Sequence, residues 1–153
     1  MKHIHREGFT IDKEGTNTWR YAKAGAKVIV AISPKEVAII KKTSNELKDL
    51  DKLLMTLEQE RLDIVFIEGF HSLIAKRQDI PKIITAASEE NLKRTLEGAS
   101  EPILAVTGVI SKSKPELDWL KVPILNLETE GDELLGLVKR YLKNEPLTRK
   151  KAK

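Results

Sequence analysis

Cysteine is absent from the 153 residues, which excludes disulfide scaffolds, thiolate metal sites, iron–sulfur clusters and cysteine nucleophiles. Long apolar runs are absent as well. Nothing approaches the roughly 20 residues that a membrane helix needs, and Met1-Lys2-His3-Ile4-His5-Arg6-Glu7 lacks the apolar stretch of a signal peptide. A soluble cytoplasmic protein with no membrane partner is expected. Aromatic side chains make up 5% of the chain, too few to interleave with a basic nucleic-acid-binding face. The net charge of +4 is supplied by Arg149, Lys150, Lys151 and Lys153 alone; the rest of the chain sets its 23 acidic side chains against as many basic ones. An unpatterned charged end of this kind is solvated and disordered, so nucleic acid is not an expected partner.

What is present is a chain 41% hydrophobic and 33% charged, long enough for one core that buries about 70% of the surface exposed by the unfolded chain. One domain over residues 1–143 is expected, with 144–153 as a basic tail. Leu62-Asp63-Ile64-Val65-Phe66-Ile67, closed by Glu68-Gly69, has the continuous apolar character of a parallel strand buried on both faces. Similar runs lie at residues 27–32, 37–40, 82–86, 102–107 and 122–127, and together they predict an open α/β sheet. Helical spacing recurs in Leu47, Leu50, Leu53, Leu54 and Leu57, with Thr43 and Glu46 placed as a capping box. It recurs again from Leu134 to Leu142, with Pro146 beyond the end. Ser88-Glu89-Glu90 opens a helix running to Leu96 and stopped by Gly98, and another spans Thr16 to Ala24 with Gly25 as its cap. A doubly wound sheet begins with a strand, a tight glycine loop and a helix, yet this chain opens on a short stub, and no phosphate-cradling Gly-rich loop occurs in it.

Lys2-His3-Ile4-His5 is followed by Asp12-Lys13-Glu14-Gly15-Thr16-Asn17-Thr18-Trp19-Arg20, Ala24-Gly25-Ala26, Ser33-Pro34-Lys35-Glu36, Ile67-Glu68-Gly69-Phe70 and Pro81-Lys82-Ile83. In this order and spacing the motifs resemble those of the molybdopterin-guanine dinucleotide biosynthesis protein B (MobB) family. The resemblance implies an α/β, P-loop NTPase-like fold with a mostly parallel open sheet flanked by helices. It further implies a homodimer that binds GTP with Mg2+. Such a protein would assist the molybdopterin guanylyltransferase, which attaches GMP to molybdopterin in molybdenum or tungsten cofactor assembly. The family's Walker A loop lies upstream of the Lys-His-x-His segment at which this chain starts. The expectation is therefore a domain without its first strand, loop and helix, inactive by itself, where full-length members are weak GTPases. The alternative is a non-enzymatic adaptor that has lost nucleotide binding and serves as a dimerising partner of a cofactor-assembly enzyme. Three positions depart from the family pattern: Arg6 replaces a histidine, Thr16-Asn17 replaces Lys-Asp, and His71 replaces a lysine.

Glu68 ends a predicted strand, where ligands of open α/β sheets bind, and a carboxylate there holds a magnesium-bound water or merely caps the next turn, with Gly69 allowing the bend. Asp12 lies in a glycine-bearing polar loop and either binds magnesium or forms a local turn. Lys13 neutralises phosphate or simply stays exposed beside Glu14. His3 and His5 share one face of an extended segment, a spacing compatible with a metal, with a phosphate oxygen or simply with polar strand-end residues; the resemblance implies phosphate or substrate contact rather than a metal. The resemblance assigns His3, His5, Asp12, Lys13, Gly15 and Gly69 to nucleotide or substrate and Asp12 and Glu68 to metal, with no catalytic residue. Trp19 and Trp119 are expected to anchor structure rather than stack on a base.

Overall fold

Thr16 opens the first helix because its side chain accepts the Trp19 N–H, meeting one of the four orphan donors at a helix start. The computed structural model describes residues 1–6, 8–43 and 49–144. The chain divides into two compact units, Met1–Phe70 and His71–Lys153.

In the first unit α1 (Asn17–Lys23) leads through Ala24 and Gly25 into β1 (Val28–Ile32) and β2 (Val37–Lys41). These two strands pair antiparallel, with Val30 opposite Ile39 and Ile32 opposite Val37. The turn between them is set by Ser33, whose Oγ accepts the Glu36 N–H at 3.1 Å. The runs at 27–32 and 37–40 are therefore a hairpin rather than members of a parallel sheet. A four-residue connection between strands of this length leaves no room for a crossover helix. Its inner face carries Ile29, 5% exposed. Its outer face leaves Val28, Val30, Ile32, Val37 and Ile39 between 52% and 78% exposed.

Helix α2 (Leu50–Met55) starts at Asp49, whose carboxylate accepts the Lys52 N–H, and buries Leu50. Glu46, the second half of the predicted capping box with Thr43, and Leu47 fall within residues 44–48, outside the described residues, as do Pro146 and the tail 145–153. Residues 62–67, predicted as a strand buried on both faces, join no strand ladder. Leu62, Ile64 and Phe66 are 51%, 45% and 72% exposed. Backbone pairing reaches this segment from residues 1–3, through a parallel bridge between Lys2 and Glu68, and a single bridge covers no side chains.

The second unit begins with the short α3 (His71–Ile74) and continues as β3 (Lys82–Thr85), α4 (Glu89–Glu97) and β4 (Ile103–Thr107). Strands β3 and β4 are parallel, and α4 connects them as a βαβ unit, capped by Ser88 and ended by Gly98. Residues 122–127, also predicted as a strand, contribute one parallel bridge from Ile124 to Val106. Around this pair lies the core of Ile84, Ala86, Leu92, Val106 and Ile110, flanked by Leu96, Ile103, Leu117, Leu120, Val122 and Ile124. Leu92 and Val106 are fully enclosed, each worth roughly 1.5–3 kcal/mol of burial. Gly108 makes this packing possible: at φ +97° a Cβ there would stand 2.7 Å from the Ala86 carbonyl oxygen.

Lys82 is 5% exposed. Its ammonium donates to the Arg77 and Ile80 carbonyls, while loss of hydration lowers its pKa from the ordinary value. Helix α5 (Leu127–Asn144) starts two turns before the predicted Leu134 and is kinked at Glu130. Among the described residues no helix is long and apolar enough to cross a membrane.

Candidate functional site

All seven predicted site residues fall in the first unit, in two places. The first is built on the contact between the chain's opening residues and Glu68. The Met1 ammonium donates to the Phe66 carbonyl, the Glu68 N–H donates to the Met1 carbonyl at 2.8 Å, and the His3 N–H donates to the Glu68 carbonyl at 2.9 Å. Gly69 follows at φ +79°, so close that a Cβ would lie 2.9 Å from the His3 Cβ. No side chain fits between these backbones. Phe70 is left-handed as well, at φ +57°, and only 6% exposed.

The Phe70 ring stacks on the His3 imidazole, with centroids 4.8 Å apart and planes 22° apart. His5 meets the same imidazole edge-on at 4.1 Å. His3 Nδ1 is enclosed here without a hydrogen-bond partner. The Glu68 carboxylate points elsewhere: it is 70% exposed and pairs with Lys2 Nζ at 2.9 Å.

The second place is the loop before α1. Asp12 Oδ1 accepts from the Lys13 N–H at 2.9 Å and from the Thr18 hydroxyl at 2.9 Å. The Thr16 hydroxyl stands 3.2 Å from the same oxygen and 2.7 Å from the Lys13 carbonyl. The turn closes through Gly15 at φ +87°. This fixes the carboxylate at the helix start, so the turn-forming role of Asp12 is present. It engages only one oxygen, however, because Oδ2 is enclosed with no partner. An unpaired buried acceptor is uncommon enough to call for a cation, a donor or water.

The structure thus groups His3, His5, Glu68 and Gly69, and separately Asp12, Lys13 and Gly15. Among the described residues no set of three or more His, Asp or Glu side chains could hold a metal by itself. Sequence reasoning missed Phe70 as a neighbour of His3, since nothing in the letter Phe announces a left-handed backbone. Trp19 is half-buried with the Lys23 ammonium over its ring, and Trp119 lies at the surface. It is 41% exposed, its Nε1 donates to Glu89 Oε1 at 3.3 Å, and Lys93 lies over its ring.

Residues 1–109 match the family model described as molybdopterin guanine dinucleotide synthesis protein B. The chain is 36% identical over 84 residues to a putative molybdopterin-guanine dinucleotide biosynthesis adapter protein of Methanocaldococcus jannaschii, a match covering 55% of this chain and 33% of that protein. It is 31% identical over 106 residues to the molybdopterin-guanine dinucleotide biosynthesis adapter protein of Haemophilus influenzae, covering 69% and 54%. The chain therefore spans about a third to about half the length of these curated relatives. The crystal structure of Bacillus subtilis MobB superposes with a TM-score of 0.61 at 23% identity, covering 89% of this chain and 76% of that one. At that identity the likeness shows the fold, which is the α/β, P-loop NTPase-like one.

Proposed function

The chain belongs to the molybdopterin guanine dinucleotide synthesis protein B family, and from that premise we propose that it is an adapter in the assembly of molybdopterin guanine dinucleotide. In this reading it binds GTP with Mg2+ in the cytoplasm and assists the molybdopterin guanylyltransferase that attaches GMP to molybdopterin. Asp12 carries the reading. Its Oδ1 is held by N–H and hydroxyl donors, while Oδ2 is left unpaired. A hard divalent cation takes one or two carboxylate oxygens beside phosphate oxygens and water, and an unpaired carboxylate oxygen on a fixed side chain fits that demand. Lys13 adds positive charge next to it, and Glu68 reaches a cation only by releasing Lys2. When bound, magnesium would neutralise phosphate charge.

Calorimetry on this chain with Mg·GTP, and with Mg·ATP as comparator, tests the proposal. Magnesium-dependent, GTP-selective binding is expected, weakened about tenfold or more by Asp12→Asn, the scale of a lost contact to a charged group. Absence of binding, or an Asp12→Asn variant that binds as well as the parent, overturns it. The second reading is an adaptor without nucleotide chemistry, supported by the word adapter in the relatives' descriptions. That reading predicts capture of the guanylyltransferase in the absence of any nucleotide.

A homodimer belongs to the same proposal, and the outer face of the hairpin supports it. Five apolar side chains stand exposed on a two-stranded sheet, more than an isolated hairpin carries stably in water. Lys41, opposite Val28, is the charge at one end of that face.

A further inference from the structure

Phe70 is held where a bulky side chain rarely goes, at φ +57° with its ring enclosed, and the element it holds is the imidazole of His3. Strained backbone that the surrounding structure enforces gathers at functional sites. Here the enforcement is visible: a Cβ on Gly69 would stand 2.9 Å from the His3 Cβ, and the next residue's ring lies against the imidazole with centroids 4.8 Å apart. His5 closes the other side. Of the two imidazole nitrogens, Nδ1 is the one enclosed without a partner.

A buried N–H left without an acceptor is rarer and costlier than a buried lone pair left without a donor. Enclosure of Nδ1 without a hydrogen-bond partner therefore favours the tautomer that keeps Nδ1 bare and puts the proton on Nε2. We propose that Phe70 is a positioning residue that holds His3 as a neutral Nε2–H donor, and that this N–H is directed to an oxyanion of the phosphate class rather than to a metal ion. Coordination of a metal through Nε2 needs the opposite tautomer, with the proton on the enclosed Nδ1. The ligand chemistry rests on the nucleotide reading above, whereas the tautomer and the role of Phe70 do not.

Nitrogen-15 correlation spectra of the full chain at pH 8 read the tautomer directly, without ligand. His3 is expected with Nε2 protonated and Nδ1 bare. Phe70→Leu is expected to keep the backbone spectrum while His3 becomes a mixture of tautomers, and Phe70→Tyr, which keeps the ring, to restore the single form. A His3 protonated on Nδ1 in the parent overturns the proposal, and so does a Phe70→Leu variant that retains the single tautomer. Should Phe70→Leu not fold, the parent and Phe70→Tyr spectra still decide the tautomer.

Titration with inorganic phosphate and with Mg·GTP separates the two sources of the oxyanion. A shift of the His3 Nε2–H with either supports the donor role, and a shift with phosphate but no binding of Mg·GTP removes the nucleotide reading alone. No shift with either overturns the oxyanion assignment even where the tautomer is as stated.

Discussion

Gly69 and Asp12 show how much a single position decides here. Any β-carbon at Gly69 meets both a left-handed backbone at φ +79° and the His3 Cβ at 2.9 Å. Gly69→Ala is therefore expected to destabilise the chain by about 1–3 kcal/mol, read as a lower urea midpoint, and to move the His3 resonances with it. Replacing Gly15, beside which an added Cβ meets nothing within 4 Å, carries the left-handed cost without the clash and should be milder. Asp12 was legible in the sequence as a loop carboxylate with two open uses, magnesium binding or a local turn, and the turn is the one its hydrogen bonds show. What the letters could not give was the division of work between its two oxygens. That depends on Thr16 and Thr18, whose hydroxyls reach it only after the turn has formed.

Among the elements, those written locally were readable and those set by distant partners were not. Ser88 followed by two glutamates, an apolar stripe and Gly98 specifies α4 within a dozen residues, and the helix forms where expected. Ser88→Ala removes the acceptor for the Asn91 N–H and is expected to cost about 1 kcal/mol, measured by chemical unfolding. The start of α5 was not readable, and its first turn carries the non-helical Glu130. The Lys114 ammonium 2.6 Å from Glu130, and then the Asn126 N–H, hold the Glu130 carboxyl below its ordinary pKa of 4.5. A carboxylate whose pKa is lowered by folding adds stability above its unfolded value and loses it as the pH falls through the folded one. Glu130→Gln should therefore melt below the parent at pH 7, with the difference shrinking toward pH 3. The hairpin was missed for another reason: apolar runs give a strand its length but carry no record of direction. Only the short Ser33–Glu36 turn decides between antiparallel return and crossover.

For the whole molecule, the divided arrangement concentrates the candidate site residues in Met1–Phe70 and the best-packed core in the unit from His71 onward. The apolar surface that the first unit leaves exposed on its hairpin gives self-association a measurable handle. Ile39→Glu, at the centre of that face and opposite Val30, is expected to convert the proposed dimer to monomer in sedimentation equilibrium while leaving the hairpin's circular dichroism intact. A parent that sediments as a monomer at all concentrations, or a variant that remains dimeric, would remove the hairpin from the interface.

The bonds joining residues 1–3 to residues 66–68 bridge a sequence separation of 65, and that span has a meaning in time. A chain made from its N-terminus at about 5–20 residues per second releases His3 and His5 roughly 3 to 13 seconds before Glu68, Gly69 and Phe70 exist to receive them. The β1–β2 hairpin, complete at Lys41, can close during that interval from its own residues. Any factor that captures the histidine pair during translation therefore competes for it with a part of the protein not yet made.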